Sequence, residues 1–173
     1  MFMDRIMGVF RLNAATFEEI EHDQNATGQA AIVVGIAALL AAIGSGISAA
    51  FTNTSFFGNF ISTLLWTFIG WFVWSIVSYF VGTALFGGKA DVGEMLRVIG
   101  FAYAPQVLSI IPCIGGIIGG IWSLVAGFIA IRQGLDLDNL KALLTVIVGF
   151  IVYVIGYLIL ALILGGIGAI FGG

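Results

Sequence analysis

Polar and apolar positions along this chain separate into blocks instead of alternating. Uninterrupted apolar stretches cover 30–51, 56–86, 98–131 and 142–171, and charged residues fall only between or before them. A helix crossing the bilayer needs about 20 apolar residues, so every stretch is long enough for at least one crossing. The first stretch gives about 33 Å of helix, one span. The second would reach about 46 Å as one helix, so it must tilt, project beyond the hydrocarbon or begin irregularly near Gly58. Thr52, Asn53, Thr54 and Ser55 form the uncharged hairpin turn between them. In the third stretch Pro105, Pro112 and the glycines at 115, 116, 119 and 120 predict two short crossings, turning near Pro112 to Gly116. The last ends in a glycine-rich run, Gly165 to Gly173. The expected fold is therefore all-α: a polytopic transmembrane helical bundle of about five spans, at 30–51, 56–86, 92–112, 114–131 and 139–171. These form a domain 30–173 that follows a cytoplasmic, interfacial segment 1–29.

Within that segment Phe2, Met3, Ile6, Met7, Val9 and Phe10 recur at helical spacing among Asp4, Arg5 and Arg11, which predicts a short amphipathic helix at the membrane surface. Interfacial anchoring explains the pattern. Phe2, Ile6, Phe10 and Phe17 are also the candidate residues for docking a partner. Thr16 with Glu19 offers a second helix start, Asp91 with Glu94 resembles a capping box, and Asp138 is placed to cap the last helix. The acids between Asp4 and Asp23, with no long apolar run before Ala30, argue against a cleavable export signal.

Charge decides the parity. With five spans, Arg5, Arg11, Lys89, Arg97, Arg132 and Lys141 share one side of the membrane, and the positive-inside rule makes that side cytoplasmic. One crossing over 98–131 would put Arg132 and Lys141 on the opposite side. The expected location is a prokaryotic cytoplasmic (inner) membrane, with the N-terminus cytoplasmic and the C-terminus exterior.

Composition agrees: 61% of the 173 residues are hydrophobic and 9% charged, against about 25% charged in a soluble domain. Such a chain needs lipid or neighbouring proteins as solvent. Its net charge of −3 belongs to short loops, and no nucleic-acid partner is implied. No Asp, Glu, Lys, Arg or His interrupts the four apolar stretches, which disfavours a proton-coupled carrier. Gln106, Ser109, Ser75, Ser78, Thr83, Tyr153 and Tyr157 could line a polar path, although such groups more often bridge helices. Sequence templates for metalloproteases, serine hydrolases and phosphate-binding loops are missing, so an enzyme is not expected. His22, the one histidine, sits beside Glu21 and Asp23 as a solvated side chain; no cofactor and no metal ion is expected. Cys113 reads as a small apolar residue.

Packing signals are stronger than chemical ones. Gly115 with Gly119, Gly116 with Gly120, Gly44 with Ser48 and Gly168 with Gly172 hold small-residue spacing that lets helix backbones approach. Trp66, Phe68, Trp71, Phe72, Trp74, Tyr79 and Phe80 crowd the second span. They predict a buried packing face or a surface against another subunit.

The run RVIGFAYAPQVLSIIP from Arg97 to Pro112, then Ile121-Trp122-Ser123-Leu124, then Gly134 through Lys141-Ala142, resembles the core of the Yip (Ypt-interacting protein) family. The resemblance covers roughly Phe17 to Ile155. Its marks are Tyr103 and Pro105, the second proline Pro112, the glycines Gly116, Gly119 and Gly134, Trp122 in the fourth span, and Lys141-Ala142 opening the fifth. It implies five helical spans with a cytoplasmic N-terminus. For eukaryotic members it implies binding to Rab-type GTPases and a role in vesicle traffic. This chain departs from them in having only about 29 residues before its first span, and its compact form is similar to prokaryotic relatives. The expected function is a Yip-like membrane interaction or scaffold protein whose partners are membrane lipid and other membrane proteins or a second copy. The alternatives are an accessory subunit of a respiratory or photosynthetic complex and, behind that, a channel or small-solute transporter.

Overall fold

A computed structural model describes the chain except for residues 112–113 and 172–173, and describes no side chain at 50, 160, 161 or 163–171. Its described elements are all helical. They are α1 (Phe2–Phe10), α2 (Ala14–His22), α3 (Ala26–Thr52), α4 (Phe56–Phe86), α5 (Val92–Ala102), a 3-10 segment (Ala104–Ile110), α6 (Gly115–Gly134) and α7 (Asn139–Phe171). Four of them, α3, α4, α6 and α7, are long and apolar enough to cross a membrane. This is a multi-pass membrane protein.

The third expected span, 92–112, is not a single helix. It stops at Ala102 and resumes as 3-10 backbone at Ala104. Pro105 is the cause: it has no N–H to give to the carbonyl of Phe101, and its ring crowds that carbonyl, so the α-helical ladder cannot continue through it. The two pieces still traverse the bundle. Gly100 lies against Ala30 near the start of α3, and the 3-10 segment reaches Gly44 through Ser109 and Ile110. Those contacts are 14 residues apart on α3, about 21 Å of helix. Irregular backbone at membrane depth is tolerated where protein surrounds it. Ala104 and Pro105 are indeed buried.

Helix ends follow local chemistry. Ser55 caps α4 by accepting the N–H of Gly58 at 3.2 Å, so α4 runs unbroken through Gly58 to Gly87, whose φ of 70° ends it. Asp91 and Glu94 form the expected reciprocal cap, at 2.8 and 2.6 Å. Asp138 accepts the N–H of Lys141 at 2.9 Å. The second helix, however, starts at Asn13 and not Thr16: the Asn13 side chain accepts the N–H of Ala15 at 3.1 Å. Thr16 instead packs against Gly8.

That packing shapes the N-terminal segment. Gly8 on Thr16 and Arg5 on Glu19 make α1 and α2 an antiparallel hairpin, turned at Leu12 with φ 54°. The hairpin leans against the bundle instead of lying apart from it: Phe2 meets the ring of Phe101, Phe10 meets Trp122, and Phe17 is fully buried. Phe2, Ile6, Phe10 and Phe17 therefore face inward in this conformation. Met3 and Met7 are the exposed apolar residues of α1.

The glycine pairs divide by face. A Cβ on Gly119 would stand 2.8 Å from the carbonyl oxygen of Pro105, whereas one on Gly116 or Gly120 would meet nothing within 4 Å. Gly119→Leu should therefore destabilise the fold by about 1–3 kcal/mol or more, and Gly116→Leu, pointing to lipid, should be nearly neutral. Melting in detergent, followed by tryptophan fluorescence, checks the contrast; equal melting temperatures would refute it. Gly168 and Gly172 lie outside the described side chains.

Candidate functional site

Two features collect polar groups. The first surrounds the break in the third crossing. Tyr103, which ends α5, faces Tyr153 of α7 across adjoining cavities of about 290 and 410 Å³, both lined by Gly70, Tyr103, Gln106 and Tyr153. Thr63 and Thr67 of α4 line the larger cavity, Ser123 of α6 the smaller. The Ser123 hydroxyl is buried without a hydrogen-bond partner. Trp74 borders the smaller cavity and meets Tyr153 edge-on at 6.2 Å. Hydroxyls and one amide could hold the polar part of an amphiphile; among the described lining residues there is no nucleophile–base pair. Gln106 and Tyr153, both read from sequence as lining a polar path, do meet here, whereas Ser75 and Thr83 bond their own helix carbonyls.

The second feature is the charged end of the bundle, where all three charge clusters converge. Arg97 of α5 donates Nε and Nη2 to the carbonyl of Glu21 at 3.0 and 2.7 Å. Gln133 of α6 donates to Glu18 at 2.9 Å, and the Lys89 N–H donates to the carbonyl of Leu135 at 3.0 Å. Arg5 completes the set, donating to Glu19, Asp23 and Gln29 between 2.7 and 3.0 Å. Arg5, Lys89, Arg97, Arg132 and Lys141 thus share one end, five of the six cations that the five-span reading places together. Arg11 lies apart from them, exposed at the hairpin turn, where Leu12 packs beside Ile118, Ile121 and Trp122 of α6.

Arg5 and Arg97 are anchoring residues that sequence reasoning missed. Both sit at the edges of charge clusters, where sequence offers no sign of burial, yet both are buried. Each satisfies its guanidinium inside the protein, and together they fasten the hairpin to α3 and α5. Arg97 also supplies donors to the open carbonyl end of α2, where helix dipole and unpaired carbonyls favour a cation.

Glu21 is the exception to this pairing. It is buried, and its Oε2 has no hydrogen-bond partner. Burial first, then like charge from Glu18 and Asp136, with Glu94 a smaller contributor, pushes its carboxyl up to about 7, against a partial opposing effect of His22. His22 is itself raised, by its bond to the Glu18 carbonyl and by the Glu21 charge. The sign follows. A group whose folded pKa lies above its unfolded value holds extra protons in the folded state, so its stabilising effect is lost as pH rises between the two. For Glu21 that window runs from 4.5 to about 7. In EDTA-containing buffer the melting temperature should fall from pH 5 to pH 8, and Glu21→Gln should flatten the slope and melt higher at pH 8. A wild-type curve flat or rising over that range would contradict the assignment.

The family-motif residues occupy structural positions. Tyr103 lines the cavities, Pro105 breaks the third crossing, and Gly119 lets α6 approach it. Gly134 seats Val98, with its Cβ position 2.8 Å from Val98 Cγ2, and Ala142 is buried. Trp122 carries Phe10, and Lys141 is exposed at the start of α7. Gly116 faces outward, and Pro112 lies outside the described residues.

Comparison with curated proteins and with solved structures gave no match. The Yip1 domain, as a family, matches residues 7–163. That match takes in the hairpin from Met7 onward, the broken third crossing and most of α7, so the chain belongs to the Yip1-domain family.

Proposed function

We propose that this Yip1-domain protein is a non-catalytic interaction or scaffold protein of a prokaryotic cytoplasmic membrane, N-terminus inside and C-terminus outside. The observation that carries the reading is the convergence of three sequence-distant charged segments on one fixed end of the bundle. A surface whose elements are already bolted together loses little entropy when a partner docks, which favours recognition. Gathering five of the six Lys and Arg residues at that end supports its cytoplasmic orientation. The apolar outer faces of α4 and α7 supply the lipid contact, and the partners of this reading are other membrane proteins or a second copy. A Rab-type GTPase enters by family analogy alone.

Photo-crosslinking in living cells tests the proposal. Photoreactive residues at Lys89 and Asp136, both exposed, should give discrete protein adducts, while one at Phe72 on the outer face of α4 should give mainly lipid. Adducts in constant stoichiometry from Phe72 would favour the accessory-subunit reading, since Phe72 and Phe80 are exposed aromatics there. No protein adduct from either charged-end position, together with solute flux in liposomes, would overturn the scaffold reading in favour of transport.

A further inference from the structure

Beyond the scaffold reading, we infer that Glu18, Glu21 and His22 form a binding site for a divalent transition-metal cation at the charged end of the bundle. One ligand atom from each of the three lies within 4.8 Å of the others. They occupy one turn at the end of α2, where positions three and four apart share a face. Two carboxylate oxygens and an imidazole nitrogen suit Zn²⁺, Mn²⁺ or Fe²⁺ better than Mg²⁺ or Ca²⁺, which take oxygen alone.

An acidic cluster alone would carry no such assignment, since exposed acids gather at many helix ends. The independent observation is Glu21 itself. It is 4% exposed, and its Oε2 is buried with no hydrogen-bond partner. A buried carboxylate oxygen without a donor is costly unless a proton or a cation compensates it. The neighbouring guanidinium does not: Arg97 gives its donors to the Glu21 carbonyl and to Thr27, not to the carboxylate. The other neighbours add negative charge, since Glu18, Asp136 and Glu94 all raise the Glu21 carboxyl.

His22 is oriented for ligation as well. Its Nδ1 lies 2.9 Å from the backbone carbonyl of Glu18. A carbonyl only accepts, so Nδ1 carries a proton, and Nε2 is the nitrogen left to bind a cation once it has released its own. Metal-ligating histidines are fixed by this kind of bond to a carbonyl or carboxylate. Gln133 plays the same part for Glu18, holding one of its oxygens at 2.9 Å. The site faces water on the His22 side, where the ring is exposed, so a cation has an entry path and open positions for water.

The test uses the full chain without a histidine tag, purified in detergent, stripped with EDTA and carrying Cys113→Ser so that its one thiol takes up no metal. Titration with ZnCl₂ by calorimetry should show one Zn²⁺ per chain and a rise in melting temperature at pH 7.5. CoCl₂ should give a visible ligand-field band. His22→Gln, on an exposed side chain, should weaken Zn²⁺ roughly tenfold or more and change the cobalt band. Glu21→Gln should abolish the thermal shift while keeping the helical circular-dichroism spectrum. Asp4→Asn, distant and exposed, should change neither. Absence of saturable one-to-one uptake would overturn the site, and so would uptake that survives both His22→Gln and Glu21→Gln, which would mark an adventitious ion only. If Glu21→Gln fails to fold, His22→Gln decides alone.

Discussion

Replacing Gly44 with leucine should leave little or no folded protein, and Gly44→Ala should already melt well below the parent. A Cβ at this position would sit inside the van der Waals shell of the Ser109 carbonyl oxygen, with Ser109 C and Ile110 Cα at 3.2 and 3.3 Å. All three are backbone atoms of the 3-10 segment, so no rotamer change relieves the clash. Either α3 or the 3-10 segment must move, and the segment is held on its other side by Gly119 and Gly115 of α6. Overpacking of this kind costs typically 1–3 kcal/mol for added methylenes in side-chain cores. Backbone against backbone should exceed that range. The control is Gly28→Ala, where nothing lies within 4 Å; gaining about 0.5–1 kcal/mol of helix propensity, it should melt at or above the parent temperature. Tryptophan fluorescence melting and monodispersity in detergent measure both. A Gly44→Leu protein that stays monodisperse and melts like the parent would show that the 3-10 segment is not gripped as described.

The same contact explains what the sequence reveals and what it hides. The long apolar stretches, their polar turns and the caps at Asp91 and Asp138 are local signals, and α4 and α7 follow them almost residue for residue. The third crossing was harder to read. Pro105 advertises a break, but whether the chain continues as helix, turn or 3-10 backbone depends on neighbours far away in sequence. Those neighbours are Gly44 and Gly119, whose missing side chains leave room for an irregular strand of backbone. A small-residue spacing pattern shows that something packs closely, not which face does: Gly115 and Gly119 face the 3-10 segment, Gly116 and Gly120 do not, and they are adjacent in the same helix. The aromatic crowd on α4 divides likewise. Trp71 donates to the Leu96 carbonyl at 3.0 Å, Trp74 meets Tyr153, Phe68 reaches toward Gly35 of α3, and Phe72 and Phe80 point outward.

Charged residues mislead in a different way. Hydropathy treats Arg5 and Arg97 as water-seeking, and for an isolated side chain that is right, because burying an unpaired charge costs several kcal/mol. The cost disappears only when donors and acceptors from distant segments meet in one place, and Arg97 and Glu21 are 76 residues apart. That most of the Lys and Arg residues gather at one end of the bundle was legible, since it follows from the order of apolar stretches and charge clusters. Burial was not. Glu21 is the sharper case: its position beside Glu18 and His22 marks an ordinary solvated helix end, and only its lack of a partner in three dimensions makes it a candidate site.

Arg97→Ala should cost about 3 kcal/mol and loosen the hairpin from the bundle. The guanidinium holds the Glu21 carbonyl with two donors at 3.0 and 2.7 Å and reaches Thr27 at 3.5 Å. Hydrogen bonds made by a charged group contribute about 1.5–3 kcal/mol each to stability, and a stranded buried carbonyl adds a penalty of about 1–3. These terms overlap, which keeps the total below their sum. No carboxylate pairs with Arg97, so its removal strands no buried counter-charge, and the loss reports the end of α2 alone. Lysine should recover only part of it, because one ammonium cannot reproduce the planar fork that grips the carbonyl with two N–H groups. The order parent, Arg97→Lys, Arg97→Ala in melting temperature is therefore expected. Limited proteolysis gives a second readout: cleavage in the Asp23–Asn25 connection should accelerate in Arg97→Ala while the membrane domain stays intact. Were alanine to melt within about 0.5 kcal/mol of the parent, as a substitution at an ordinary surface position would, the hairpin would have to be held by Arg5 and its apolar contacts alone, and the charged end would not be the single rigid surface on which the interaction reading rests.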